Sequence, residues 1–448
     1  MVLNTREAAL EILLRSAKKN TTLDRTLDAF YPRLAHLSQP DKNLCHAIVF
    51  GVLRHQNHLD FIVRAFSNTK LDRMDPRVLF VLRMALFQMH FMNRIPDFAA
   101  INTSVEMAKA RGGKKIAGFV NAVLRNAVRG YGSIVWPDQH KNLAEYVSVV
   151  HSIPLWLAER WLAAYGPQKT LALCRDINQI PLLTVRTNTL KTSRNTLGNM
   201  LTSAGHDPVF TQFSPEGISL TGSGIHVEDL SGFSDGLFQI QDEAAQLVSR
   251  ILDPRPEETI LDACAGLGGK TLHLAQLMEN KGEITAIDTD PDKLAQLEAE
   301  TLRLGITNVK SRSMDLLSAT IKDFPGFFNR ILVDAPCTGL GVLRRNPDTR
   351  WKRSVEDIRR MAALQKRLLT AAAGLVKPGG TLVYAVCSCE PEENEEVVAS
   401  FLKKRKDYEL LPMDSFFGMP CHPWLKTFPD FTGLDGFFAA RLRRLSRE

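Results

Sequence analysis

The fold of the carboxyl-terminal half is decided by the stretch Thr259-Ile-Leu-Asp262-Ala-Cys264-Ala265-Gly266-Leu267-Gly268-Gly269-Lys270-Thr271. A short apolar run ends at Asp262, a glycine-rich segment follows, and the helix pattern after it continues to Met278. This order predicts a buried strand that turns tightly into a helix. Further strands are predicted at 283–288, 308–313, 330–334 and 381–386, with helix patterns between them. Such alternation is typical of an α/β protein with a parallel, doubly wound sheet.

Polar residues stand where these predicted strands end. Because ligands of such sheets bind outside the carboxyl ends of the strands, these residues mark the candidate site. They are Asp262, Asp288, Asp315, Asp334 and Cys387.

The glycine turn excludes two common nucleotide motifs. A phosphate-binding loop needs glycine five residues before Gly269, where Cys264 stands, and a dinucleotide fingerprint needs its third glycine at Thr271. The remaining Asp-x-x-x-Gly-x-Gly pattern resembles the first motif of Rossmann-like methyltransferases, which implies S-adenosylmethionine as the cofactor. Asp288, about 20 residues beyond the turn, is placed to bind ribose hydroxyls. The alternative is that Asp288 only caps the next helix.

Two cysteines suggest the chemistry: Cys337 in Asp334-Ala-Pro-Cys337, and Cys387 in Val386-Cys387-Ser388. Carbon 5 of cytosine is a poor nucleophile until a thiolate adds to carbon 6, and a carboxyl group such as Asp334 can help to absorb the charge that develops on the ring. Spacing alone does not settle which cysteine attacks. A zinc site would lack the usual Cys-x-x-Cys pairs, so we expect no metal. We interpret Cys389 as a packed residue outside the chemistry.

The first 150 residues are helical in pattern and basic. They hold 21 Lys and Arg against 12 Asp and Glu, whereas the rest of the chain holds 35 against 37. A polyanion-binding module would show this asymmetry, and so would an ordinary solvated helical surface. Helices are predicted at 5–19, 40–66, 75–92, 97–111 and 115–129, with a stop at Gly112-Gly113. The elements Phe98-Ala-Ala-Ile-Asn-Thr-Ser-Val-Glu106 and Phe119-Val-Asn-Ala-Val-Leu-Arg125 resemble the NusB family of RNA-binding helical bundles.

We therefore predict three domains: an all-helical RNA-binding domain at 1–135, a small α+β accessory RNA-binding domain at 136–236, and a Rossmann-like methyltransferase domain at 237–448. In the second, a helix begins near Pro154 and closes near Gly166, and strands are predicted at 182–186, 218–220 and 237–240. The element Arg186-Thr-Asn188 resembles the segment that precedes the catalytic domain in RNA 5-methylcytosine methyltransferases.

Four motifs follow one another along the chain: Asp262 through Thr271, Asp334-Ala-Pro-Cys337-Thr-Gly-Leu-Gly341, Val386-Cys387-Ser388 and Pro391-Glu-Glu-Asn394-Glu395. Together they resemble the RNA 5-methylcytosine methyltransferases and, with the NusB-like domain, their bacterial members that act on 16S ribosomal RNA. The resemblance extends over essentially the whole chain. It implies that Cys387 is the nucleophile, that Cys337 assists release of the product, and that Asp334 is catalytic. The implied cofactor contacts are Cys264, Ala265, Gly266, Leu267, Gly268, Gly269, Lys270, Asp288, Asp315 and Asp334. The family often has threonine where Val386 stands, which puts any proton-handling role of that threonine in doubt.

A basic stretch follows the first cysteine motif. We expect Arg344, Arg345 and Arg353 to contact RNA, whereas Arg359 and Arg360 fit a charged helix face that begins near Ser354.

Three alternatives stay open. Transfer RNA is a possible substrate, because the catalytic motifs are shared across the family. Methylation of an exocyclic amine is disfavoured by Ala335 and Cys337 on either side of Pro336, because its motif has Pro-Pro-aromatic there. An inactive assembly factor is disfavoured by the intact motifs.

Seven cysteines and an amino terminus without an apolar segment predict a cytoplasmic protein with reduced thiols. No stretch is long and apolar enough for a membrane span, and we expect a monomer without a metal.

Overall fold

The computed structural model describes residues 3–18, 21–222, 226–413, 415–429 and 433–446. The chain forms two compact units. The first consists of residues 1–179 together with 343–352, and the second of residues 180–342 together with 353–448. A ten-residue segment of the later sequence therefore belongs to the helical part.

The first unit is all-helical. Its helices are α1 (Thr5–Ser16), α2 (Leu23–Phe30), α3 (Gln39–Arg54), α4 (Gln56–Phe66), α5 (Pro76–Phe91), α6 (Asp97–Gly130), α7 (Leu143–Val150) and α8 (Leu155–Asp176). Short 3-10 segments lie at Tyr31–Leu34, Leu71–Arg73 and Tyr131–Ser133.

Local signals in the sequence explain most helix ends. Asn4 and Glu7 form a capping box at α1, and Asp75 accepts from the amide of Arg77 at the start of α5, where Pro76 occupies the first turn. The predicted stop at Gly112-Gly113 is confirmed as a break, because Gly113 has φ 75° and interrupts α6. The helix predicted over 40–66 is instead two helices that meet at His55.

The segment 343–352 lies in the interior of this helical unit. Arg350 is fully buried, and its guanidinium donates to the carbonyl of Ser152 at 3.1 Å and to Oδ1 of Asn178 at 2.9 Å. The indole nitrogen of Trp351 donates to the carbonyl of Leu53 at 2.7 Å. These contacts give ten residues of the later sequence a structural role among the helices.

The second unit begins with a small antiparallel sheet in the order β2-β3-β1-β4. Helix α9 (Arg194–Ser203) packs on it, and Val185, Leu197, Ile218 and Phe238 lie in the core. The three predicted strands are confirmed, and β2 was not predicted. The strands are β1 (Leu183–Thr187), β2 (Asp207–Phe210), β3 (Gly217–Thr221) and β4 (Phe238–Ile240).

The large sheet has the order β10-β14-β9-β8-β5-β6-β7, with β13 paired to β14. Its strands are β5 (Thr259–Asp262), β6 (Glu283–Asp288), β7 (Val309–Ser313), β8 (Phe328–Asp334), β9 (Val376–Val386), β10 (Tyr408–Leu410), β13 (Leu425–Lys426) and β14 (Phe438–Arg444). A separate two-stranded ribbon is formed by β11 (Ser415–Phe416) and β12 (Met419–Pro420), and 3-10 segments lie at Val227–Asp229 and Ile321–Asp323.

Helices connect the strands and bury both faces of the sheet. They are α10 (Glu243–Leu252), α11 (Gly269–Leu277), α12 (Pro291–Leu304), α14 (Val355–Ala373) and α15 (Glu395–Lys404), whereas the short α13 (Thr349–Lys352) belongs to the first unit. One core contains Ile260 and Leu332 with α10 and α11, and the other contains Leu261 and Val333 with α14 and α15. Because successive side chains of a strand point to opposite faces of the sheet, each strand contributes to both cores.

The sheet is mixed, whereas the sequence predicted a parallel one. Strands β5 to β9 are parallel, but β14 runs antiparallel to β9, with Ala439 opposite Ala385. The α/β class with Rossmann-like order is confirmed. The antiparallel edge was missed because a strand's direction depends on its connection to the sheet, which the apolar pattern does not record.

Candidate active site

The strand order reverses between β5 and β8, and this reversal creates the crevice in which such sheets bind ligands. Asp262 ends β5 and Asp334 ends β8, and the two strands are direct neighbours. Cys387 follows the last residue of β9, which pairs with β8 on its other side. The predicted positions of these three residues at strand ends are confirmed.

The glycine turn joins β5 to α11 with two residues in the left-handed region. Gly266 has φ 56° and Gly268 has φ 84°. A Cβ atom on Gly268 would lie 2.6 Å from Cγ of Leu297, whereas one on Gly266 would meet nothing within 4 Å. Leu267 between them is 54% exposed. The turn therefore packs closely against α12 at Gly268 and leaves open space over Gly266.

The carboxylate of Asp288 is held by two backbone amides. It accepts from the amide of Gly266 at 2.9 Å and from the amide of Asp290 at 2.9 Å. The side chain of Asp290, not of Asp288, caps α12 by accepting from the amide of Asp292. The alternative in which Asp288 serves only as the helix cap is therefore wrong, and its half-exposed carboxylate stands beside the glycine turn.

Other members of the predicted cofactor set differ in environment. Asp315 follows β7, is exposed, and accepts from the amide of Leu317 at 2.9 Å. Burial, together with the nearby negative charges of Asp262, Asp334 and Asp288, raises the pKa of Cys264 well above its usual range. The Cys264 thiol therefore stays protonated and unreactive at neutral pH.

Asp262 anchors the start of α11. Its Oδ2 accepts from the hydroxyl of Thr271 at 2.7 Å, and burial raises its pKa to about 6. Because the side chain is 1% exposed, Asp262 supports the turn from beneath instead of facing a ligand.

Lys270 and Asp334 form an ion pair across the crevice. The Nζ atom of Lys270 lies 2.5 Å from Oδ2 of Asp334, and the two side chains are 12% and 30% exposed. Burial alone would lower the pKa of Lys270, but the charge and hydrogen bond of Asp334 outweigh it, so this pKa is raised. A negative charge on Cys387 acts in the same direction. The ammonium group is therefore charged, pairs with Asp334, and lies within electrostatic range of Cys387.

The two cysteines lie side by side. The Sγ atoms of Cys337 and Cys387 are 3.2 Å apart, and neither cysteine forms a disulfide. The hydrogen bond to Cys387, followed by burial and by the charge on Cys387, raises the pKa of Cys337 well above its usual range. Cys389 is 2% exposed, and a Cβ on Gly436 would lie 2.6 Å from its sulfur. The Cys389 thiol is thus buried and packed against Gly436.

Arg186 supports the glycine turn from the small sheet. It is fully buried, and its guanidinium donates to the carbonyl of Gly269 at 2.8 Å, to Oε1 of Gln276 at 3.1 Å and to Oε1 of Gln239 at 2.8 Å. The sequence singled out Arg186 only as part of a short resemblance. A basic residue inside an otherwise apolar strand pattern was the available signal.

The basic stretch after the first cysteine motif divides between two environments. Arg344 and Arg345 are half-buried, and the carbonyl of Arg344 accepts from Arg54 at 2.7 Å within the helical unit. Nε of Arg353 donates to the carbonyl of Thr338 at 2.8 Å within the second unit. Arg359 and Arg360 are exposed on α14, and Arg360 pairs with Asp357 at 2.6 Å, as a charged helix face predicts.

Among the described residues, no group of three or more His, Cys, Asp or Glu side chains is arranged to hold a metal ion. No helix in the described part of the chain combines the length and apolar character that crossing a membrane requires.

Three family models match successive parts of the chain. A NusB family model matches residues 3–129, an RsmF/B-like ferredoxin-like domain model matches residues 153–227, and a model described as 16S rRNA methyltransferase RsmB/F matches residues 249–443. The chain is 34% identical to the probable ribosomal RNA small subunit methyltransferase B of Synechocystis sp., over 99% of this chain and 100% of the relative. It belongs to the RsmB/F methyltransferase family.

Further members and solved structures agree with this placement. The probable small subunit methyltransferase B of Bacillus subtilis is 36% identical over 98% of this chain and 99% of its own. The crystal structure of PH0851 covers 98% of both chains with 28% identity and a TM-score of 0.82. NSun6 from Pyrococcus horikoshii, solved with SFG, covers 66% of this chain and 100% of its own with 25% identity and a TM-score of 0.60. The RsmB/F match thus identifies the chain as a methyltransferase.

Proposed function

We propose that this RsmB/F family member methylates carbon 5 of a cytosine in 16S ribosomal RNA, with S-adenosylmethionine as methyl donor and a transient bond between Cys387 and carbon 6. The observation that carries the proposal is the pair of thiols 3.2 Å apart, at the end of the crevice that also holds the Lys270–Asp334 ion pair. The names of the relatives support ribosomal RNA as the substrate.

Cys387 is the proposed nucleophile. Its thiolate adds to carbon 6, the 5,6 double bond opens, and the electron pair makes carbon 5 nucleophilic. The charge of Cys387 contributes to the raised pKa of Lys270, so the ammonium group lies within electrostatic range of the attacking sulfur. The raised pKa of Cys337 supports the assignment, since a protonated Cys337 can donate a hydrogen bond to a Cys387 thiolate but is a poor nucleophile itself.

Cys337 is proposed to assist product release. After methyl transfer, a solvent water takes the proton from carbon 5, the electron pair of that C–H bond reforms the 5,6 double bond, and the bond between carbon 6 and Cys387 breaks. The departing Cys387 sulfur becomes a thiolate again, and the adjacent Cys337 thiol can donate a hydrogen bond to it. The two thiols therefore divide attack and release between them.

Asp334 is proposed to orient the base. During addition, negative charge develops at N3, and this nitrogen takes a proton from the Asp334 carboxyl group, which in turn takes one from the ammonium group of Lys270 at 2.5 Å. N3 then becomes a donor beside the exocyclic amine. A carboxylate can accept from both donors, and the ion pair with Lys270 fixes it in place.

The residues around the glycine turn fit the proposed cofactor. Open space over Gly266 and the amide-held carboxylate of Asp288 suit a nucleoside with ribose hydroxyls, and Leu267 offers an exposed apolar surface. When bound there, S-adenosylmethionine supplies an activated methyl group. Its proposed contacts are Cys264, Ala265, Gly266, Leu267, Gly268, Gly269, Lys270, Asp288, Asp315 and Asp334.

RNA contacts are proposed for both units. In the first unit, the basic excess of the first 150 residues suits phosphate binding, and Arg344 and Arg345 are further candidates. In the second unit, Arg353 is the candidate, although its Nε already holds Thr338.

Nucleoside mass spectrometry of 16S ribosomal RNA, methylated by the purified chain with a labelled methyl donor, tests the proposal. We expect the label on carbon 5 of cytidine. Cys387→Ala should abolish incorporation, whereas Cys337→Ala should accumulate a protein–RNA adduct that survives a denaturing gel. Label on nitrogen or ribose oxygen, or full turnover by Cys387→Ala, would contradict the proposal.

A further inference from the structure

Glu393 is a fully buried carboxylate in the turn between β9 and α15. Four donors converge on its two oxygens. Oε1 accepts from the amide of Thr338 at 2.8 Å and from Nε2 of Gln365 at 3.0 Å. Oε2 accepts from the hydroxyl of Ser388 at 2.6 Å and from the hydroxyl of Thr338. All four donors are uncharged.

Three of these donors belong to the two cysteine loops, and the fourth, Gln365, lies on α14. Thr338 is the residue after Cys337, and Ser388 is the residue after Cys387. Gln365 extends the contact, because its amide also donates to the carbonyl of Pro336 at 3.0 Å. The Glu393 carboxylate thus binds Thr338 and Ser388 directly, and it holds Pro336 through Gln365.

The backbone around Glu393 is fixed as well. Its carbonyl accepts from the hydroxyl of Tyr384 on β9 at 2.5 Å, and Asn394 donates to the carbonyl of Ser388 at 3.1 Å. These hydrogen bonds fix the backbone that carries the Glu393 carboxylate.

We propose that Glu393 is a positioning residue that sets the distance between the Cys337 and Cys387 sulfur atoms. The inference deepens the proposed function and rests on it for the meaning of that distance. Glu393 touches neither thiol through a hydrogen bond. It acts through Thr338 and Ser388, which are each one peptide bond away from a reacting cysteine.

Only a carboxylate offers hydrogen-bond acceptors to all four donors at once. Ionised, it offers acceptors alone, whereas an amide would present an NH2 group to at least one of the converging donors. A glutamine can keep its oxygen on the backbone amide of Thr338, but its NH2 group then faces the hydroxyls of Thr338 and Ser388, which must rotate to accept and lose their own acceptor. Glu393→Gln should therefore leave the side-chain volume unchanged and weaken the hold on the two hydroxyls.

The first test compares Glu393→Gln with Glu396→Gln in the full chain. Glu396 is exposed in the first turn of α15, three residues after Glu393, and serves as the matched control. We expect Glu393→Gln to lower kcat about 10- to 100-fold, because a displacement of about 1 Å has this effect on a positioned nucleophile. The KM values for RNA and for S-adenosylmethionine should stay within about twofold, because neither ligand contacts Glu393 in this assignment.

The second test measures how fast Cys337 and Cys387 form a disulfide, and it does not depend on methyl transfer. Diamide takes two electrons and two protons from Cys337 and Cys387, becomes the hydrazine, and leaves a disulfide that peptide mapping identifies. The parent chain and Glu396→Gln should form this disulfide at equal rates, and Glu393→Gln should form it about tenfold more slowly. If methylation proves not to occur at carbon 5, the proposed function fails, but this comparison still decides the role of Glu393.

Ser388→Ala provides a smaller change if Glu393→Gln does not fold. It removes one donor from the Cys387 side and should slow both disulfide formation and kcat in the same direction. Unchanged disulfide formation in a folded Glu393→Gln or Ser388→Ala chain would overturn the proposal, whatever the effect on kcat. An unchanged kcat with slower disulfide formation would overturn it too, because the spacing would then not matter to turnover.

Discussion

The ammonium group of Lys270 lies 2.5 Å from a carboxylate oxygen of Asp334, although 64 residues separate them in the sequence. Lys270 is in the first turn of α11, and Asp334 is the last residue of β8. The ion pair therefore joins the glycine turn to the first cysteine motif, and it links the proposed cofactor site with the proposed base site.

Lys270→Met should lower kcat about 100-fold or more, because it removes the ammonium group that holds Asp334 in place and lies within electrostatic range of Cys387. Steady-state methylation with saturating RNA measures this change. Lys310→Met is the control, since Lys310 pairs with Glu283 at 2.6 Å but is 72% exposed. A kcat within about threefold of the parent would be incompatible with the proposed role of Lys270.

Gly268→Ala should destabilise the chain more than Gly266→Ala. Both positions require the left-handed region, at about 1 to 2 kcal/mol for a residue with a Cβ. Only Gly268 adds a clash with Leu297, which costs about a further 1 to 3 kcal/mol. Urea unfolding of the two variants gives the comparison, and equal free energies of unfolding would show that α12 moves aside freely.

Arg350→Met should destabilise the helical unit by about 2 to 4 kcal/mol, because it leaves the carbonyl of Ser152 and Oδ1 of Asn178 without their buried donor. Arg359→Met is the matched control, since Arg359 is exposed on α14. Hydrogen exchange of the helices locates the loss. If exchange in α8 did not accelerate, Arg350 would not stabilise this unit.

Two histidines should make the helical unit less stable as the pH falls. Burial, followed by the charge of Arg54, lowers the pKa of His55 to about 3, and burial lowers that of His58 to about 4. In the unfolded chain both titrate near 6.5. Below that value the unfolded state binds more protons, so the free energy of unfolding falls with decreasing pH until the folded pKa values are reached.

The His55→Gln and His58→Gln variants should each show a shallower decrease in the free energy of unfolding between about pH 6.5 and pH 4.5. Urea titrations at several pH values measure the slope. His140→Gln, at an exposed position, should retain the slope of the parent chain. A parental slope in both buried-site variants would mean that other groups cause the acid sensitivity.

The residues at the strand ends were predictable because short-range patterns determine them. Apolar runs that stop at Asp262, Asp288 and Asp334 locate the edge of a sheet, and a parallel order brings such ends together. Cys337 and Cys387 could therefore be expected in one crevice. Their separation could not, because it depends on contacts between side chains far apart in the sequence.

Several contacts between polar side chains could not be predicted from the sequence. Ser388 and Glu393 stand in motifs that the sequence analysis used, but their contact with each other and with Gln365 was not predicted, because only the folded chain brings the three to one buried point. Arg350 was similarly hidden, because a basic stretch reads as a solvated or RNA-binding surface, yet this guanidinium is fully buried. Burial of a charged group depends on tertiary partners, which local pattern does not reveal.

Arg350 also bears on how the protein is made. The helical unit draws ten residues, 343–352, from beyond the sequence of the small sheet and most of the parallel strands. During synthesis its eight amino-terminal helices leave the ribosome first, but their interior stays incomplete until residues 180–342 have also been translated. We therefore expect the amino-terminal helices to finish folding only after residue 352 has been translated. In a nascent chain arrested before Lys352, these helices should be less protected from hydrogen exchange than in the complete chain.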